Sequence, residues 1–252
     1  MTGTLYGLGV GPGDPELLTL KAHRILTSAP VVAYPAPDHG ASFARSIVAG
    51  FLSPRQEEIP IVVPMRVERF PAAEVYDRAA EAIAARLDEG RDVAVLCEGD
   101  PFFYGSFMYL FERLADRYPS EIVPGVASPM AAAARALTPL ASRNDVLTVI
   151  PGPLDDEALA AKLTGAFVIM KLGRHFDRVR ALIERLGLLD RAIYCERVTL
   201  GEERVLPLAE VSGVAPYFSM ILGYRGDEPA IAGRYRQASA RRSEPTDRKG
   251  PA

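Results

Sequence analysis

Apolar residues along the chain fall into short runs that alternate with amphipathic stretches, the pattern of sheets covered by helices and therefore of the α/β class. Strands are predicted at Thr4–Val10, Val31–Tyr34, Asp92–Cys97, Val146–Ile150, Ala166–Lys171, Ala192–Arg197 and Phe218–Gly223, and a helical stretch from about Glu16 to Thr27. Asp77–Glu89 carries Ala80, Ile83, Ala84 and Leu87 on one helical face, and Gly90 follows as a C-terminal cap. Ser106–Tyr118 spaces Phe107, Leu110, Phe111 and Leu114 at helical intervals and stops at Pro119, which cannot continue it. Those aromatics read as core. A boundary is expected near residues 115–120, where a new strand-turn-helix series opens with Glu121–Val123, giving units 1–117 and 118–235. From Arg236 to Ala252 large apolar residues vanish, and a disordered tail is expected.

Composition narrows the function classes. The 252 residues are 48% hydrophobic, enough for a sizeable core. A net charge of -3 and a pI near 5.7 argue against a nucleic-acid coat, which would need clustered cations. Cys97 and Cys195 stand far apart without CxxC or CxxH spacing and His23, His39 and His175 are isolated, so neither a disulfide framework nor a bound metal is expected. No apolar run reaches the ~18 residues a membrane span needs, and no signal pattern opens the chain; the expected address is the cytoplasm.

Chemistry concentrates in three loops. Gly7-Leu8-Gly9-Val10-Gly11-Pro12-Gly13-Asp14 has the look of a dinucleotide-binding turn, but its spacing fails. Counting from Gly7 puts Pro12 where the last glycine belongs, and counting from Gly9 puts Asp14 there, adding negative charge where a phosphate would sit. No GK[ST] follows, so a P-loop fails too. What remains is a tight turn that can approach a flat ligand, with Asp14 as a candidate helix cap. A second loop, Glu98-Gly99-Asp100-Pro101-Phe102-Phe103-Tyr104-Gly105-Ser106, follows a buried run; Asp100 there either binds a ligand or caps the next helix. A third, Pro124-Gly125-Val126-Ala127-Ser128-Pro129, precedes an Ala-rich stretch, with Ser128 a ligand contact or an N-cap.

Together and in order, GVGPGDPELLTLKA, EGDPFFYGS, PGVASPMAAAA and the later VIMKLGR, CERVT and PYFSMIL resemble the tetrapyrrole methylase family, the class III S-adenosylmethionine-dependent methyltransferases, over roughly residues 3–235. The resemblance implies two α/β domains, the first sheet mostly parallel and the second mixed, with an active-site trough between them, a homodimer, and S-adenosyl-L-methionine bound at the junction. By position, Pro12, Gly99, Asp100, Phe103, Ala127, Ser128, Met170, Cys195 and Met220 would contact the cofactor, while Gly11 and Asp14 would face the macrocycle. Within the family, the combination of CEGDPFFYGS, MKLGR and PYFSMIL is most similar to the branch that methylates precorrin-2 at C20 in cobalamin synthesis. Likeness favours the metal-free substrate; its cobalt complex, or another tetrapyrrole, stays open.

Methyl transfer from a sulfonium asks the protein chiefly to align reactants and exclude water, so the absence of a Ser-His-Asp set is no objection. No catalytic residue is singled out. A substrate rich in carboxylates calls for guanidinium groups, and Arg45, Arg66, Arg69, Arg143 and Arg174 are the loop or helix-end candidates. A nicotinamide oxidoreductase is the reading from another class, disfavoured by the glycine spacing.

Overall fold

A computed structural model describes residues 1–63 and 71–240, and divides them into two compact units, residues 1–128 and the chain from Pro129 onward. In the first, five parallel strands β1 (Leu5–Gly9), β2 (Val31–Ala36), β3 (Glu57–Val62), β4 (Val93–Cys97) and β5 (Ser120–Val123) are ordered β3-β2-β4-β1-β5. Strand alternation divides the core: Val93, Val95 and Cys97 pack toward α3 (Pro71–Asp88) and α4 (Phe107–Leu114), while Ala94 and Leu96 pack toward α1 (Leu20–Ser28) and α2 (Phe43–Ile47). Connections from β1 and β2 run one way across the sheet and those from β3 and β4 the other. Right-handed crossovers then put their helices on opposite faces, and the chain leaves the adjacent strands β1 and β4 toward different sides.

Local chemistry explains the ends. Asp14 caps a single 3-10 turn, Pro15–Leu17, and the helix proper starts only at Leu20, where Thr19 Oγ1 accepts the Ala22 amide; the helix expected from Glu16 is therefore split. Gly90 closes α3 with φ +77°. The strand expected to open the second unit, Glu121–Val123, instead pairs along β1, which moves the division from the expected 115–120 to Ser128.

The second unit holds α5 (Ser128–Arg135), α6 (Asp156–Ala160), α7 (Phe176–Arg185) and α8 (Pro229–Ala240) with a mixed sheet: β6 (Leu147–Pro151), β7 (Ala166–Met170), β8 (Ala192–Glu196), β9 (Arg204–Pro207) and β10 (Ser219–Tyr224), ordered β6-β7-β10-β8-β9. Only β6 and β7 run parallel. The start of the expected tail is ordered: Arg236–Ala240 is the last part of α8, because Ile231 and Tyr235 are buried and anchor that helix; residues 241–252 lie outside the described residues.

Candidate functional site

The three chemistry-bearing loops meet at the carboxyl edge of the first sheet. Parallel pairing of β4, β1 and β5 brings the loops after them side by side. Beyond the strands, Val10 donates to the Cys97 carbonyl at 2.9 Å, and Gly11 and Gly99 exchange both backbone hydrogen bonds at 3.2 and 2.8 Å. A Cβ on Gly9 would stand 2.4 Å from the Gly125 nitrogen and one on Gly125 2.0 Å from the Gly99 oxygen, so glycine alone lets these loops close on one another. Gly11 (φ +78°) and Gly99 (φ +66°) also need the left-handed backbone.

Asp100 ties the arrangement. One carboxylate oxygen accepts the Phe102 and Phe103 amides at 2.9 and 3.1 Å, and the other accepts Gly125 at 3.1 Å. It therefore joins the second and third loops and does not cap α4, whose start at Ser106 has no side-chain cap. Gly11 and Pro12 are buried, Phe103, Ala127, Ser128 and Asp14 are half-buried, and Asp14 Oδ1 accepts the Glu16 amide.

The second unit places its candidates differently. Met170 ends β7 half-buried, but Cys195 and Met220 are enclosed at 0% and 6% exposure, paired with one another in β8 and β10. Burial pushes the Cys195 thiol up to about 12. Sheet alternation turns both side chains away from the core around Tyr194 and Ile221, onto the face where α8 and Tyr235 pack, so neither offers a side-chain contact to a ligand.

Nor do the arginines form one cluster. Arg45 grips Glu58 in two places, at 2.5 and 2.8 Å, beside the Tyr34 ring, and holds the Glu58 carboxyl at about 2. Arg45 lines a pocket of about 360 Å³ together with Tyr34, Gly40, Ser42 and Pro60. Arg143 (φ +43°) is exposed, with no ion pair among the described residues, and Arg174 reaches only His175 at 3.4 Å. Arg66 and Arg69 lie outside the described residues. Sequence reasoning missed Glu98 as a separate group. It sits between Cys97 and Gly99 with an exposed side chain, yet desolvation raises its pKa against the hydrogen bond from the Ala44 amide. Among the described residues no cluster of three His, Cys, Asp or Glu side chains could hold a metal, and no helix is long and apolar enough to cross a membrane.

The family model of the Tetrapyrrole (Corrin/Porphyrin) Methylases matches residues 4–212. The chain belongs to this family. This tetrapyrrole methylase is 42% identical over 231 residues to precorrin-2 C(20)-methyltransferase of a Sinorhizobium species, covering 87% of this chain and 94% of that protein. It is 45% identical to cobalamin biosynthesis protein CobIJ of Mycobacterium tuberculosis over 87% of its own length and 46% of that relative's, so it spans about half of that protein. Its fold matches that of uroporphyrin-III C-methyltransferase from Thermus thermophilus in complex with S-adenosylhomocysteine, with a TM-score of 0.62 at 28% identity over 88% and 97% of the two chains.

Proposed function

We propose that this tetrapyrrole methylase transfers a methyl group from S-adenosylmethionine to C20 of precorrin-2. The observation that carries the reading is the 42% identity to a precorrin-2 C(20)-methyltransferase over nearly the whole of that protein. The first unit fits an adenosyl cofactor in its donor chemistry. Small residues at the carboxyl edge leave backbone groups approachable, and the half-buried Phe103 ring can pack on a purine. Ala127 and Ser128 stand where the third loop enters α5, whose first-turn amides have no acceptors within the helix. Gly99 spends its own amide and carbonyl on Gly11, so its part is to let the loops meet.

When bound, S-adenosylmethionine supplies an electrophilic methyl group on a sulfonium that leaves as a neutral thioether. The chain's residues then have to hold the enamine-like meso carbon in line and keep water out. Alignment of two bound reactants is worth ~7–11 kcal/mol of barrier, enough to carry much of the rate without a metal or a covalent intermediate. Among the described candidates, Arg143 and Arg174 are the guanidiniums best placed by exposure to meet substrate carboxylates, whereas the half-buried Arg45 already carries Glu58. We extend the reading to a homodimer, as the family resemblance implies, and to the cytoplasmic address expected from the sequence.

Incubation of the purified protein with methyl-labelled S-adenosylmethionine and either precorrin-2 or its cobalt complex tests the proposal. Label should enter the metal-free macrocycle, with NMR of the product placing it on C20. A labelled product methylated elsewhere, or no transfer to either substrate, overturns it.

A further inference from the structure

Methylation of C20 leaves one step without a residue. As the C20–CH3 bond forms and the S–CH3 bond breaks with its electron pair going to sulfur, the ring becomes cationic. The C20–H bond must then break, its electrons restoring conjugation and its proton passing to a base. Three carboxylates lie in the three motif loops, residues 7–14, 98–106 and 124–129, that meet at the carboxyl edge of the first sheet. Asp14 caps the Glu16 amide, and Asp100 gives both oxygens to the amides of Phe102, Phe103 and Gly125. Glu98 differs. Strand alternation sends Cys97 into the core beneath α3 and α4 and turns Glu98 to the opposite side, where α2 begins and the Ala44 amide meets its carboxylate.

We infer that Glu98 is the base that takes the C20 proton, an assignment that rests on the methyl transfer proposed above. Position supports it: Glu98 is the first residue after β4 and immediately precedes Gly99, at the point where the chain leaves β1 and β4 toward different faces and ligands of open α/β sheets collect. Its partner is an amide; no Lys or Arg among the described residues pairs with it, and the Arg45 guanidinium beside Ala44 is turned to Glu58. The neighbouring titratable groups in sequence are the Cys97 thiol, buried at the end of β4, and Asp100 in the following loop, and the charges of Glu98 and Asp100 both act on that thiol. The side chain is reached by solvent yet crowded enough by protein to lose hydration, as for a group in a recess. A carboxylate so placed is a stronger base than an ordinary one, and after turnover it can return the proton to water.

The experiment compares wild type, Glu98→Gln and Glu98→Asp with precorrin-2 carrying hydrogen or deuterium at C20, alongside calorimetry with S-adenosylhomocysteine. Glu98→Gln should lower kcat about 100-fold or more, leave S-adenosylhomocysteine affinity within about twofold, and expose a primary deuterium isotope effect on kcat that wild type does not show. Wild-type kcat should fall on an acid limb above 4.5, the ordinary glutamate value, and Glu98→Asp should restore part of the rate with that limb moved down. Glu98→Gln turning over within about threefold of wild type, or losing cofactor affinity in step with kcat, overturns the assignment. Wild-type protein that transfers no methyl group to precorrin-2 sinks the functional reading instead, and the base with it.

Discussion

Gly125 faces Gly9 across so small a gap that a Cβ on Gly125 would lie 2.8 Å from the Gly9 Cα and 2.0 Å from the Gly99 carbonyl oxygen. The obstacle on both sides is backbone, which cannot swing away as a side-chain tip can. Whatever ligand this edge binds is therefore held by loops whose mutual spacing is fixed by the absence of side chains.

Gly125→Ala should force one of the three loops to move. Overpacking of this kind costs about 2 kcal/mol, which for a chain of this size lowers Tm by about 4–8 °C. Binding of S-adenosylhomocysteine should weaken in parallel. Gly50, around which nothing lies within 4 Å, is the matched control: Gly50→Ala should leave both Tm and binding unchanged. Scanning calorimetry and isothermal titration of the two variants check this, and equal behaviour would mean that the loops tolerate separation.

Asp100 makes a related prediction separable from sterics. Asp100→Asn keeps the shape but replaces one acceptor oxygen by a donor; the amide can no longer serve both the Phe102 and Phe103 amides and Gly125. A buried N–H left facing another donor costs about 1–3 kcal/mol, and the half-buried Phe103 and Gly125 amides place this site toward the lower end. S-adenosylhomocysteine should bind about tenfold more weakly by titration calorimetry. Unchanged affinity would show that the tie between the second and third loops is irrelevant to the cofactor.

Which parts of this molecule could be read from its sequence follows from where each residue's partner lies. The seven predicted strands all form, because their apolar runs carry their own signal. β3 was not anticipated: Glu57, Glu58 and Pro60 interrupt the pattern, and a proline without an N–H is tolerated there because β3 is an edge strand. β9, the other missed strand, also lies at an edge. The three loops were legible as motifs, since glycine spacing is local. That Arg45 is committed to Glu58, thirteen residues on, was not, and neither was the enclosure of Cys195 and Met220, which depends on strand order and on α8 covering that face.

The Arg45–Glu58 pair gives a pH dependence of defined sign. The Glu58 carboxyl is held at about 2 in the folded chain, first by the Arg45 hydrogen bonds, against an ordinary 4.5. A depressed folded value means that the pair stabilises the fold above about pH 4.5 and that the contribution is lost as pH falls toward 2. With side chains 40% and 30% exposed, solvent screening limits the pair to about 1 kcal/mol or less. Urea unfolding of Glu58→Gln should therefore show it less stable than wild type at pH 6, with the difference narrowing by pH 3.5. A difference that stays constant between those pH values would mean that ionisation of Glu58 contributes nothing to stability.

The two cysteines test burial directly, because reactivity follows the thiolate and not the thiol. Cys195 is fully buried with its thiol pushed up to about 12, and Cys97, in the core beneath α3 and α4, is raised well above its ordinary value by the same loss of hydration. At pH 8 neither should react with a thiol reagent on the timescale of minutes in the native protein, whereas both should react at once in denaturant. The rate in intermediate urea then reports opening of each unit separately: Cys97→Ser leaves Cys195 as the probe of the second sheet, and Cys195→Ser leaves Cys97 as the probe of the first. If S-adenosylhomocysteine binds through the loops of the first unit, it should slow modification of Cys97, which lies one residue before Glu98 and whose carbonyl oxygen accepts the Val10 amide, more than it slows modification of Cys195. Equal protection of both thiols would show that the two units open together.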